Sequence, residues 1–89
     1  MTTMFVRHQV ADFAAWKQVY DDFDASRNSM GVTGHAVYRG DEDPNDVTVT
    51  HDFATAAAAK QFAESEALRS AMRRAGIAGE PTIWFTERV

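Results

Sequence analysis

The order in which hydrophobic periods follow one another constrains this chain more than any motif in it. Met4–Val10 carries apolar residues at every second position, as a strand does, and Phe13–Met30 shifts to spacings of three and four. Two further strand runs, Val32–Arg39 and Val47–Phe53, flank a turn. A second helical run, Ala56–Ala75, then leads to a last strand, Thr82–Val89. This β-α-β-β-α-β order accounts for residues 1–89 as a single domain and predicts one small α+β architecture.

Composition narrows the setting. Hydrophobic residues make up 45% and charged residues 25% of the 89, the balance of a folded globular chain rather than a disordered one. A core of this size buries only about 60–65% of the unfolded surface, and association is one common remedy. No cysteine is present, so disulfides and thiolate sites are excluded. The net charge of −4, with nine Lys and Arg scattered along the chain, offers no footprint for a nucleic-acid backbone. No apolar run approaches the ~20 residues of a bilayer span. Arg7 and His8 follow the first apolar residues too closely for a signal peptide. The expectation is a soluble, cytoplasmic protein that binds neither nucleic acid nor membrane.

Local chemistry marks the element ends. Asp12 can cap the first helix, whose stripe of Phe13, Trp16, Val19, Tyr20, Phe23, Arg27 and Met30 lies opposite Lys17, Gln18, Asp21, Asp22 and Asp24. Gly31 is placed as its left-handed stop. Thr55 can cap the second helix. Ser65 reads as a second cap within it, which predicts a break near Glu64–Ser65. Gly76 ends that helix, and Gly79-Glu80-Pro81 reads as the turn into the last strand. The acidic loop Gly40–Asp46 has the composition of a solvated turn, and its spacing does not match a calcium loop.

The hairpin register is argued from keeping one face apolar. Pairing Tyr38 with Val47 aligns Ala36 with Val49, Gly34 with His51 and Val32 with Phe53 on the helix side. The other side then holds Arg39 with Asp46, Val37 with Thr48, His35 with Thr50 and Thr33 with Asp52. In the outer strands, Met4, Val6, His8, Val10, Ile83 and Phe85 fall under the helices. The remaining face collects Phe5, Arg7, Thr33, His35, Val37, Thr48, Thr50, Thr82, Trp84 and Thr86. Aromatics mixed with threonines, a His and an Arg make neither a core nor a solvent face, and a second subunit is the simplest cover.

On these residues the chain resembles the dimeric α+β barrel superfamily, whose best-known members are the antibiotic-biosynthesis monooxygenase-like proteins. The resemblance spans the chain. It rests on the element order, on Met4-Phe5-Val6-Arg7-His8-Gln9-Val10-Ala11-Asp12-Phe13 running into Trp16, on the turn Asp43–Asn45, and on Phe62-Ala63-Glu64-Ser65-Glu66-Ala67-Leu68. It implies a ferredoxin-like fold with a four-stranded antiparallel sheet, a homodimer with two sheets face to face, and a cavity for a small aromatic or polyketide-like ligand. Some members are monooxygenases that work without metal or flavin, so no cofactor is implied. The Asn, Trp and His of haem-degrading members are not all matched here.

Candidate chemistry centres on His35, which the pairing above puts beside Thr50, near Trp84 or Arg7. It is either a general base for a phenol or enol, or an interface histidine. Arg7 is either an anion-binding group or half of an ion pair. Trp84 either stacks on a ligand or anchors a dimer. Phe5, Thr48 and Thr50 complete the expected ligand-binding surface. His8 and His51 fall on the helix side and read as satisfied structural histidines. On this reading two faces of the sheet hold the three imidazoles, so they do not converge on a metal. Two functions remain open: a monooxygenase-like or cyclase-like enzyme acting on an aromatic or enolisable metabolite, with His35 as base and Arg7 holding the anion, or a non-catalytic homodimeric module that binds a small ligand.

Overall fold

A computed structural model describes residues Met1–Val89. Four strands, β1 (Thr2–Val10), β2 (Val32–Arg39), β3 (Asp46–Phe53) and β4 (Ile77–Glu87), form one antiparallel sheet in the order β2-β3-β1-β4. Four helices pack on one of its faces: α1 (Phe13–Asp22), α2 (Asp24–Ser29), α3 (Ala56–Glu64) and α4 (Glu66–Ala75). The two central strands are the first and third, and each crossover carries one helix pair, which is the ferredoxin-like arrangement.

The caps have the expected chemistry. The Asp12 carboxylate accepts from the Ala14 amide at 3.1 Å, and Thr55 Oγ1 accepts from the Ala58 amide at 3.2 Å. Ser65 interrupts the second helical run with an extended backbone (φ −68°, ψ 141°), and its hydroxyl caps α4 through the Leu68 amide. Gly31 and Gly76 sit in the left-handed region at φ 90° and 72°. The first helical run is also broken, which its periodicity does not announce. Phe23 holds ψ at −1° between α1 and α2 and donates its amide to both Val19 and Tyr20 carbonyls.

Burial follows the pleat in β1 and β3. Met4, Val6, Val47, Val49 and Phe53 are buried with Phe23, Phe62 and Leu68, whereas Thr48 and Thr50 point to the opposite face. The hairpin register differs from expectation. Val32 pairs with Phe53, but an irregularity between Val32 and Gly34 advances every later pair by one: Gly34 meets Asp52, His35 meets His51, Ala36 meets Thr50, Val37 meets Val49 and Tyr38 meets Thr48. One extra residue in a strand reverses the facing of all that follow. His35 and Val37 therefore lie on the helix side, and Ala36 and Tyr38 on the open side.

The physical reason is what each side offers. His35 finds partners in α1 and α2. Val37 pairs with Val49 and packs against the core cluster that contains it. Tyr38 stays 58% exposed on the open side. The close approach at Gly34 suits a residue without a Cβ, which would stand 3.1 Å from Asp52 Oδ2. The last strand also begins earlier than expected. Ile77 and Ala78 already pair with Val10 and Gln9, so Gly79–Pro81 is a bulge within β4, with Gly79 at φ 74°.

Candidate functional site

The helix-facing side of the sheet holds a cavity of about 50 Å³. Val6, Val49, Trp16, Val19, Phe23, Leu68, Ala71, Met72 and Ala75 make most of its wall apolar. His8 from β1, His51 from β3, and Tyr20 and Arg27 from the first helical pair also line it. Strand alternation delivers the two histidines, since His8 follows Met4 and Val6 on the buried face of β1, and His51 follows Val47 and Val49 on β3. Arg27 belongs to the apolar stripe of its helix and is only 2% exposed.

These polar side chains are not satisfied by the protein. Both ring nitrogens of His8, Nδ1 of His51 and Nε of Arg27 are buried without a hydrogen-bond partner. Each such atom costs about 1–3 kcal/mol, and native proteins keep few of them. The reading of His8 and His51 as satisfied structural histidines is thus corrected. Burial lowers the pKa of the His8 imidazole. Burial, and then the positive charge of Arg27, push His51 down to about 3. Both rings are neutral near pH 7, and Arg27 is the cavity's fixed charge.

Arg27 is held in place from several sides. Its Nη2 donates to the Tyr20 carbonyl at 2.7 Å and reaches Asp24 Oδ1 at 3.4 Å, and its guanidinium lies 3.9 Å from the Tyr20 ring centroid. Trp16 stacks on Tyr20 with centroids 5.2 Å apart. The Tyr20 hydroxyl meets His35 Nδ1, and His35 Nε2 faces Asp24 Oδ1 at 3.3 Å. In the Nε2-protonated tautomer the ring N–H faces the Asp24 carboxylate and Nδ1 accepts from the tyrosine hydroxyl.

The residues expected to form one site are divided by the sheet. Phe5, Arg7, Thr48, Thr50 and Trp84 share the open face, and β1 pairs Phe5 with both Thr50 and Trp84. Phe5 and Trp84 stack at 5.1 Å with their planes 6° apart. Arg7 is committed to a bidentate pair with Asp46, through Nε at 3.0 Å and Nη2 at 2.6 Å. His35 is not among them: the shifted register of β2 carries it away from Thr50 to the other side.

All three imidazoles consequently share one face, with the rings of His35 and His51 6.4 Å apart. No group of three His, Asp or Glu side chains converges to hold a metal ion. Sequence reasoning passed over Arg27, whose signal was a lone cation inside an apolar helical stripe. It also placed Asp24 on the water side, although the break at Phe23 lets it reach His35.

No family model and no curated protein matches this sequence. Solved structures are similar in fold. An antibiotic biosynthesis monooxygenase superposes with a TM-score of 0.76 at 12% identity, over 100% of this chain and 99% of its own. SnoaB, a cofactor-independent oxygenase from Streptomyces nogalater, gives 0.76 at 14%, over 99% and 94%. A conserved protein from Methanosarcina mazei Go1 gives 0.80 at 13%, over 99% and 92%. Likenesses at 12–14% identity concern the path of the backbone, and by that path this chain has the fold of the antibiotic biosynthesis monooxygenase-like proteins.

Proposed function

We propose that this protein is a small-molecule enzyme of the monooxygenase-like or cyclase-like kind. Its ligand, an aromatic or enolisable compound with an acidic hydroxyl, would lie between sheet and helices rather than between two sheets. One observation carries the reading: His8, His51 and Arg27, each with a buried nitrogen that lacks a hydrogen-bond partner, line an otherwise apolar cavity. Apolar walls suit a carbon skeleton, and a few convergent polar groups orient it. Arg27, fixed and desolvated, would stabilise the anion left when a phenol or enol loses its proton. SnoaB is described as a cofactor-independent oxygenase. Carried to this chain, such chemistry would start from the same electron-rich anion.

The open sheet face supports a homodimer. Trp84 is 39% exposed and Tyr38 58%, on one face with the half-buried Phe5 and the Thr48 and Thr50 hydroxyls. A second copy covering that face would place Phe5, Trp84, Thr48 and Thr50 in the interface, and Arg7 beside it as an intramolecular ion pair.

The cavity volume favours a second reading, a non-catalytic homodimeric module. A dry cavity of about 150 Å³ holds a benzene, and this one has a third of that. The partition is adaptable, however. Leu68 and Met72 line both the cavity and a surface groove bounded by Arg69, Arg73, Glu80 and Ile83. Met72 is unbranched and can swing aside.

Titration with 4-nitrophenol, whose anion is coloured, tests the enzyme reading. The wild-type protein is expected to bind the dye as its anion, Arg27→Gln to lose that binding, and Thr50→Val on the open face to keep it. Absence of binding, or loss only in Thr50→Val, would overturn the placement under the helices.

A further inference from the structure

Resting on that reading, we infer that Tyr20, His35 and Asp24 form a proton relay that carries the ligand's acidic proton from the cavity to solvent. The cavity needs such a path. His8 and His51 line it, but a buried ring whose pKa is depressed holds a proton poorly, so these imidazoles orient a ligand rather than deprotonate it. Arg27 is permanently charged and accepts nothing. Tyr20 is the remaining titratable group in the wall.

Tyr20 is backed by a base. Its hydroxyl hydrogen-bonds to His35 Nδ1, and the opposite ring nitrogen of His35 faces the Asp24 carboxylate at 3.3 Å. The His35 side chain is 32% exposed and that of Asp24 is 55%, so the chain ends in water. The step balances without a co-reactant. The ligand O–H or C–H bond breaks and its proton passes to Tyr20 Oη. In concert, the Tyr20 O–H bond breaks and its proton forms the Nδ1–H bond of His35. The products are a ligand anion beside Arg27, a neutral Tyr20, and a His35 imidazolium facing Asp24. That imidazolium, facing Asp24, keeps the proton while the anion is bound and yields it to water when the anion leaves.

Tyr20 is the catalytic residue of this step, and His35 and Asp24 are positioning residues acting through it. The charged surroundings agree. Tyr20 is faced by Lys17 and Asp21 from α1, Arg27 and Asp24 from α2, and His35 from β2. Burial is the largest influence and raises its pKa, so the hydroxyl stays protonated and ready to pass a proton on. His35 is faced by Tyr20, Asp24 and the neutral His51 of β3.

The relay is tested by ¹⁵N NMR of histidine-labelled protein, free and with 4-nitrophenol. In the free protein His35 is expected to carry its proton on Nε2. With the dye bound as its anion, both His35 nitrogens are expected to become protonated while His8 and His51 stay neutral. In Tyr20→Phe, which keeps the ring against Trp16, the dye should still bind but His35 should not respond. In Asp24→Asn the His35 imidazolium signal should be lost at the same pH. A dye bound as its anion with His35 unchanged would overturn the relay and leave the cavity reading standing. No binding by the wild type would overturn both.

Discussion

At the scale of single residues, the unusual groups are three buried polar side chains with nitrogens that no protein atom meets. His51 is the extreme case, 4% exposed and with a pKa of about 3. Its neutral form is the one the fold accepts, so below the unfolded value of about 6.5 the unfolded chain binds more protons than the folded one. Stability should therefore be full above pH 6.5 and fall steadily as pH drops towards 3. A shift of this size corresponds to roughly 5 kcal/mol, and a small domain has only about 5–15 kcal/mol in all. Urea unfolding followed from pH 7 to pH 4 should show this decline. His51→Phe, which adds an aromatic ring beside Phe62, should flatten it, and an equally steep decline in that variant would mean other groups control acid unfolding. Arg7 makes the opposite case at this scale. Exposed and paired with Asp46 by geometry suited to its planar fork, it commits Nε and one Nη2 proton to that carboxylate.

At the scale of elements, both helical runs are broken, and each break serves the cavity. Ser65 turns α3 into α4, which lets Phe62 and Leu68 both face the sheet. Its hydroxyl caps α4 and donates to the Phe62 carbonyl at 2.8 Å. Ser65→Ala should cost about 1 kcal/mol, read as a lowered melting temperature, and an unchanged value would show that packing alone holds the bend. Met72 stands on α4 between cavity and groove. Met72→Ala should join the two spaces, tightening 4-nitrophenol binding while costing about 1–2 kcal/mol, less than the 2–5 kcal/mol of a fully buried methionine. Weaker binding in that variant would mean that Met72 holds the ligand rather than blocks it. The break at Phe23 is the less legible of the two. Phe23 has no capping side chain, and beyond the kink Arg27 bonds the Tyr20 carbonyl while Asp24 faces His35.

At the scale of the whole molecule, the sheet has one face committed to helices and one face open. The open face carries the stacked pair Phe5 and Trp84, together with Tyr38. A stable interface there should bury at least about 1,000 Å² in total, with Trp84 among its anchors. Trp84→Glu is expected to weaken dimerisation by about 30-fold or more, the worth of a hot-spot aromatic at 2 kcal/mol. Sedimentation equilibrium at micromolar concentration would check it, and a wild-type monomer under those conditions would remove the dimer from the account.

Element order, caps and the left-handed glycines were legible in the sequence because each depends on neighbours within a few residues. Asp12, Thr55 and Ser65 need only the amides two or three positions ahead, and Gly31 and Gly76 need only their own lack of a side chain. The facing of β1 and β3 was legible as well, since alternation leaves Val47 and Val49 one place to go. The facing of His35 was not. It hangs on a single extra residue between Val32 and Gly34, and both registers place apolar residues under the helices, because Val37 packs there as readily as Ala36. What separated them was distant in sequence: Tyr20 and Asp24, reaching His35 from helices whose position is set only when the sheet and its cover assemble. Local hydrogen bonding and periodicity thus decided the parts, and tertiary packing decided which of the three histidines would meet.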